Sequence, residues 1–369
     1  MKPVRRVFMS ADAVGGVWTY ALDMARGLSS HNVQLSLTIL GPKPSRSQQL
    51  EAAAIPSLDL IISNAPLDWT ARCSSELDDV ASELRERAQA CSADVAHLNA
   101  PAHAGEARWP IPLLVATHSC VATWWRSQHS TPLPADLKWR RDRTEQGLGL
   151  ADATVVPSRS FGAMLQNEYK ALQSVTTIYN GRTPIVERED NRNLILTAGR
   201  LWDPAKNANL INTVALRTGL SIHAAGPTGG VTGEQALLPG LQLMGTLATP
   251  DLQRVYRSTK LFVSVPFYEP FGLSTLEAAQ HGCALVLSDI PTLRELWNDA
   301  AVFVDPHDEA ELSAALMQLN CDEDLVQIYA ARAKQKSHRY TRNDMVLETL
   351  SAYSSAITLH AARCEMLVT

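Results

Sequence analysis

The sequence predicts an α/β protein of two domains, each built on a mostly parallel sheet. Three observations carry this reading. Short apolar runs of strand length alternate with stretches of helical periodicity, which is the pattern of βαβ units. A turn at Tyr179-Asn180-Gly181-Arg182-Thr183-Pro184 and a polar run from Glu187 to Arg192 interrupt the alternation, which restarts at Leu194. The chain's 369 residues, 46% of them hydrophobic, are enough to bury two cores. The expected division is residues 1–183, residues 184–341 and a terminal helical segment over 342–369.

Composition narrows the function. A net charge of −5 gives no global sign of nucleic-acid binding. The cysteines at 73, 91, 120, 283, 321 and 364 form no Cys-x-x-Cys, which argues against a structural zinc or a disulfide framework and points to a reducing cytosol. Met1-Lys2-Pro3-Val4-Arg5-Arg6 is basic, but Asp12 cuts the next apolar run short, so it reads as a first strand and not a signal peptide. No apolar run approaches the length of about 18 residues that a membrane-spanning helix needs.

In the first half, Val7-Phe8-Met9 leads through Asp12-Ala13-Val14-Gly15-Gly16-Val17 into a helical pattern that places Leu22, Ala25 and Leu28 on one face. Strand, glycine turn and helix make a phosphate-cradle geometry. It is not Gly-x-Gly-x-x-Gly, and no acid ends the second strand, Gln34 to Leu40, so a nicotinamide site is not expected. Taken alone, Gly15-Gly16 is first a tight turn made for packing. Further strands are expected at Leu58–Ile62, Val95–Leu98, Leu113–Thr117, Ala153–Val156 and Thr176–Tyr179. His118 falls at the carboxyl end of one of them, where a histidine that merely packs is the plain alternative to one that meets a ligand. Trp124-Trp125-Arg126 and Lys138-Trp139-Arg140-Arg141-Asp142-Arg143 offer an aromatic and cationic surface suited to a sugar, a phosphorylated acceptor or an anionic membrane. An amphipathic helix with a solvated basic face fits the same residues.

In the second half, Leu194–Ala198 starts a new sheet and is followed by Gly199-Arg200-Leu201-Trp202-Asp203-Pro204-Ala205-Lys206-Asn207. Arg200 and Lys206 can hold a diphosphate, one as a planar fork and the other as a point charge, or they can belong to a basic surface loop. Strands are expected at Leu220–Ala225 and Leu241–Met244, then a helix with Thr249 as N-cap and Pro250 at its first position. Asp308 and Glu311 resemble a capping box.

The most informative stretch is Glu269-Pro270-Phe271-Gly272-Leu273-Ser274-Thr275-Leu276-Glu277, set between the apolar runs Leu261–Val265 and Ala284–Ser288. A helix starting near Leu273 and ended by Gly282 would present the N–H groups of Gly272, Leu273 and Ser274 to an anion or a sugar hydroxyl. Glu269, before the helix, can stabilise positive charge on an anomeric carbon. Glu277, a turn inside it, can take paired ribose hydroxyls.

This stretch resembles the retaining nucleotide-sugar glycosyltransferases of the GT-B fold, the group 1 or family 4-like glycosyl transferases. The resemblance implies two Rossmann-like domains facing each other across a cleft. It implies a nucleoside diphosphate sugar as co-substrate, UDP-, GDP- or ADP-linked, and no cofactor. The acceptor would be a hydroxyl of a sugar, a polysaccharide or a lipid-linked chain, with contact to the inner membrane face as an option. It implies that Glu269, Arg200, Lys206 and His118 serve catalysis, and that Gly15, Gly16, Phe271, Gly272, Leu273 and Glu277 bind the donor. Retention of configuration comes from the resemblance; no pair suited to inversion is evident in the sequence. No Asp-x-Asp occurs, so the expected mechanism is metal-independent, with Arg200, Lys206 and helix N-termini taking the diphosphate charge. The alternatives are a nucleotide-sugar epimerase on the same fold and a non-catalytic nucleotide-sugar-binding subunit.

Overall fold

The structure, a computed structural model, describes residues 3–170, 172, 174–183 and 192–366. The chain divides into two compact units, Met1–Gly181 with Arg342–Thr369, and Arg182–Thr341. Most of the polar run expected as a linker, residues 184–191, lies outside the described residues.

In chain order, the first unit comprises β1 (Arg6–Asp12), α1 (Gly16–Ser30), β2 (Gln34–Leu40), α2 (Arg46–Ala53), β3 (Leu58–Ile62), α3 (Ser74–Ala90), β4 (Val95–Leu98), β5 (Leu113–Ala116), α4 (Val121–Gln128), α5 (Lys138–Leu150), β6 (Ala153–Val156), α6 (Arg159–Glu168) and β7 (Thr176–Thr177). Its strands are ordered β3-β2-β1-β4-β5-β6-β7, and every pair is parallel. A parallel sheet is covered on both faces, and its strands then read as continuous apolar runs. Here Val7, Met9 and Leu37 pack towards α1, while Phe8, Ala96 and Val115 pack towards α3.

The second unit comprises β8 (Leu194–Ala198), α7 (Ala208–Thr218), β9 (Ile222–Ala225), β10 (Leu241–Gly245), α8 (Thr249–Arg257), β11 (Thr259–Ser264), α9 (Leu273–Gln280), β12 (Ala284–Ser288), α10 (Pro291–Trp297), β13 (Val302–Val304), α11 (Glu309–Cys321) and α12 (Glu323–Ser337). Its strands are ordered β10-β9-β8-β11-β12-β13, again all parallel. Both sheets reverse their winding next to their first strand, between β1 and β4 and between β8 and β11. In open α/β sheets such a reversal opens a crevice at the carboxyl ends of the strands, where ligands bind.

The closing helix α13 (Arg342–Glu365) belongs to the first unit. It buries Met345, Val346, Thr349, Ala352, Tyr353 and Ala356, while Leu347, an apolar residue at helical spacing, stays exposed. Asp152 anchors the helix, accepting from His360 Nδ1 at 2.9 Å and from an Arg363 guanidinium nitrogen at 3.2 Å.

Three local expectations are corrected. Ala248, not Thr249, is the N-cap of α8, so Pro250 sits one position deeper, where its missing N–H still costs nothing. Asp308 does cap α11, but Glu311 turns back past it to accept the Asp305 N–H at 2.7 Å, so the box is not closed. Strand β13 was not anticipated, because three residues are too few to carry a period. Among the described residues, no helix is long and apolar enough to cross a membrane.

Candidate functional site

In the first unit the expected residues gather at the carboxyl ends of β1, β4 and β5. Asp12 at the end of β1 accepts the Val14 N–H at 2.8 Å, and the Gln48 amide donates to the Ala13 carbonyl at 3.0 Å. These bonds shape the turn that delivers Gly15 as N-cap and Gly16 as the first residue of α1. A glycine cap brings no side-chain acceptor to the first turn, so the helix start is left to a ligand or to water. Asn99, just after β4, donates to the Ser10 carbonyl at 2.7 Å and accepts from His118 Nε2 at 2.8 Å. The edge of the Tyr20 ring meets the His118 ring, centroids 4.5 Å apart. Burial brings the His118 pKa down to about 4, so the imidazole is neutral at physiological pH and presents Nε2 as a donor to Asn99. His97 on β4 is held lower still, at about 3, by burial and then by His118.

The aromatic and basic stretches resolve differently from the expectation of an open cationic surface. Arg143 is buried within bonding distance of Asp78, Glu106 and Ser74. Arg140 donates to the carbonyls of Asp68 and Ala71, and Arg141 pairs with Glu168 at 3.1 Å. Arg126 also pairs with Glu168, at 2.5 Å. Arg140, Arg141 and Arg143 brace α5 against its neighbours, and the buried Arg143 guanidinium is retained because carboxylates and a carbonyl satisfy its donors. Trp125 stacks on His129 with centroids 3.7 Å apart, and its indole N–H donates to the Thr131 carbonyl.

In the second unit the loop after β8 is folded around Asp203. One carboxylate oxygen accepts from the Ala205 N–H at 3.0 Å and the other from Arg200 Nη2 at 2.9 Å. Pro204–Lys206 form a single tight turn, and Asn207 follows with φ of 56°. The Asn207 amide donates to the carbonyls of Val265 at 3.0 Å and Pro306 at 2.8 Å, and the Phe267 N–H donates to Ala205 O at 2.9 Å. The loops after β8, β11 and β13 are thereby joined. A Cβ on Gly226 would collide with the carbonyl of Gly199, so glycine alone lets β9 end this close to the loop.

This stitching brings Lys206 to Glu269, Nζ to Oε2, at 2.6 Å, with both side chains mostly buried. Removing either partner would strand the other charge in a partly desolvated place. Gly272, with φ of 87°, caps α9, and a Cβ placed there would meet Thr275 Oγ1 at 3.2 Å and Glu269 Cγ at 3.4 Å. Few other residues hold that conformation without strain. Leu273 opens the helix, and Gly282, with φ of 74°, follows its end. Phe271 turns inward, its ring edge-on to Tyr340 at 5.6 Å, so it offers a ligand its backbone only. Glu277 is held by Arg182, Nη1 to Oε1, at 2.9 Å. The buried Tyr256 phenol lies beside it; burial and then the Glu277 carboxylate push that phenol well above its ordinary range.

Sequence reading therefore placed Arg200, Lys206, Glu269, Gly272, Leu273 and Glu277 on one sheet edge, and Gly15, Gly16 and His118 on the other unit's corresponding edge. It missed Asp203, Asn207, Arg182 and Tyr256 in one unit, and Asn99 and Tyr20 in the other. Only Asp203-Pro204 carries a local signal, that of a turn or cap. The rest act through contacts far apart in sequence.

Two family profiles match the chain: "Glycosyltransferase Family 4" over residues 14–184 and "Glycosyl transferases group 1" over residues 192–322. Over 113 residues the chain is 31% identical to the O-antigen chain mannosyltransferase B of Escherichia coli, covering 31% of this chain and 30% of that protein. It is 28% identical to the sucrose-phosphate synthase of Zea mays over 146 residues, 36% of this chain and 14% of that one. Among solved structures, the sucrose-phosphate synthase of Thermosynechococcus elongatus superposes with a TM-score of 0.77 at 15% identity, covering 97% of this chain and 100% of that one. HepE of Anabaena, solved in complex with UDP-glucose, gives a TM-score of 0.70 at 15% identity over 95% and 100% of the two chains. The two-domain fold of parallel sheets is thus the GT-B fold.

Proposed function

This chain belongs to glycosyltransferase family 4, and from that premise we propose that it moves a hexosyl group from a nucleoside diphosphate donor to an acceptor hydroxyl with retention of configuration. The observation that carries the reading is the Lys206–Glu269 pair, seated 2.6 Å apart at the winding reversal of the second sheet and beside the glycine-capped start of α9. A diphosphate sugar needs a cation for its leaving group and an anion near its anomeric carbon, in adjacent positions. Lys206 and Glu269 supply both.

In this reading Arg200, Lys206 and the N–H groups of Gly272 and Leu273 neutralise the diphosphate as the glycosidic bond breaks. Glu269 exchanges its contact with Lys206 for the donor sugar and stabilises the positive charge that develops there. Glu277 takes the ribose hydroxyls. In the first unit, Gly15, Gly16, His118 and Asn99 are assigned to sugar hydroxyls, and His118 acts as a neutral hydrogen-bonding group. No divalent metal is required.

A panel of UDP-, GDP- and ADP-hexoses tests the reading. At least one should raise the melting temperature, since a ligand that binds only the native state stabilises it. The same donor should be converted slowly without acceptor to free sugar of the donor's own anomeric configuration, and conversion should persist in excess chelator. An inverted product would overturn the stereochemistry, a nucleotide sugar changed in its sugar would make the protein an isomerase, and activity that chelator abolishes and magnesium or manganese restores would overturn the metal-free mechanism.

A further inference from the structure

We propose that Arg182 is a positioning residue for donor recognition, holding the Glu277 carboxylate aimed at the ribose hydroxyls. The inference rests on the reading of the second unit's edge as the nucleotide-sugar site.

Glu277 lies on α9 between the helix start and the apolar interior, and its side chain is only 17% exposed. A carboxylate so placed needs a cation or hydrogen-bond donors to compensate its lost water. The Arg182 guanidinium, 13% exposed, supplies the cation at 2.9 Å. A carboxylate has about four acceptor sites, so this ion pair does not exclude a diol.

The backbone of Arg182 is also fixed. Its N–H donates to the Tyr340 carbonyl at 3.1 Å, and it forms a parallel bridge to Thr341. Tyr340 is itself buried, its hydroxyl donating to the Leu296 carbonyl at 3.0 Å and its ring edge-on to both Phe271 and Trp297. Phe271 stands two residues from Glu269 in the loop that leads to α9. The arginine is thus anchored on the same packed cluster that sets the loop, so its head has a defined place and a specific carboxylate to serve. In sequence, nothing separates it from an ordinary turn residue in Asn180-Gly181-Arg182-Thr183.

The test compares wild type, R182Q, R182K, E277Q and R182Q/E277Q for binding of UDP, GDP and ADP, each against its 2′,3′-dideoxy analogue. For the diphosphate that wild type binds best, R182Q should weaken binding about tenfold or more, within the range for coupled neighbours, and R182K should recover much of the loss. The dideoxy analogue should bind R182Q and wild type alike, because the lost contact is to the diol. In the E277Q background, R182Q should add little. Donor KM should rise in R182Q while kcat changes much less. Equal weakening for the native and dideoxy diphosphates, or full additivity with E277Q, would show that Arg182 serves the fold or the phosphates and would overturn the proposal. If R182Q proves unfolded, the R182K and E277Q comparison with the two ligand series decides in the same way. Wild type that binds none of the diphosphates would instead overturn the proposed function on which this inference stands.

Discussion

The two sheet edges share a topology and differ in charge. At the carboxyl edge of the second unit, cations and anions are interleaved: Arg200 with Asp203, Lys206 with Glu269, Arg182 with Glu277. At the same edge of the first unit, the one carboxylate named, Asp12, is turned to the Val14 N–H of the glycine turn, and the other groups that meet at the winding reversal carry no charge: His118 with its pKa near 4, Asn99 and Tyr20. The fold dictates where a ligand can sit in each unit, but not what kind. Charge does that. Paired ions can exchange partners for a diphosphate sugar, whereas an edge of neutral hydrogen-bonding side chains suits hydroxyl groups.

The largest expected effects lie on the charged edge. Glu269→Ala should remove most turnover, and Arg200→Ala or Lys206→Ala should lower it by about two orders of magnitude, the scale of losing one preorganised charge stabiliser. Steady-state kinetics on the donor found by the panel checks this. Equal losses from His118→Ala and Lys206→Ala would erase the contrast between the edges.

Next in size is a stability effect confined to the first unit. Truncation after Thr341 removes α13 and uncovers the surface buried by Met345, Val346, Tyr353 and Ala356. At roughly 1.5–3 kcal/mol for each large apolar side chain, that loss is comparable with the whole stability of a domain. Calorimetry should find the truncated chain unfolded or far less stable; an unchanged melting temperature would show that the helix contributes nothing.

A smaller effect follows from His97 and His118. Their folded pKa values, about 4 for His118 and about 3 for His97, lie below the ordinary value of 6.5. The unfolded chain therefore binds more protons below pH 6.5. Their contribution to stability is complete above about pH 6.5 and is lost as pH falls towards 4 and then 3. In a His97→Gln, His118→Gln variant the decline of denaturation free energy between pH 6.5 and 4 should be shallower than in wild type. By the same token, the pH–rate profile should carry no step from His118 between pH 5 and 8. The smallest effect is expected from Arg126→Ala, whose partner Glu168 retains Arg141: donor KM should not move.

How much of this was legible in the sequence depends on range. The alternation of apolar runs foretold nearly every strand, because strands buried on both faces must be apolar throughout. Gly272 and Gly282 marked the ends of α9, because each stands where the chain turns left-handed. The Lys206–Glu269 contact was not legible, although both residues were singled out, since it depends on Asn207 tying together three loops up to 99 positions apart. The basic run in α5 misled for a related reason: its cations look solvated in one dimension and are spent on Asp78, Glu106 and Glu168 in three. Arg182 left no trace at all, since its carboxylate lies 95 positions away, the difference between 277 and 182.

The central claim is that Lys206 meets the diphosphate and Glu269 the sugar, and that the two hold each other until the donor arrives. Titration of the cognate nucleoside diphosphate, without sugar, into wild type and Glu269→Ala by calorimetry tests it most directly. Removing Glu269 releases Lys206 from its competing anion and removes no contact to the nucleotide, so the variant should bind as tightly as wild type or more tightly while turnover is lost. Weaker binding of the diphosphate to Glu269→Ala would contradict the division of roles.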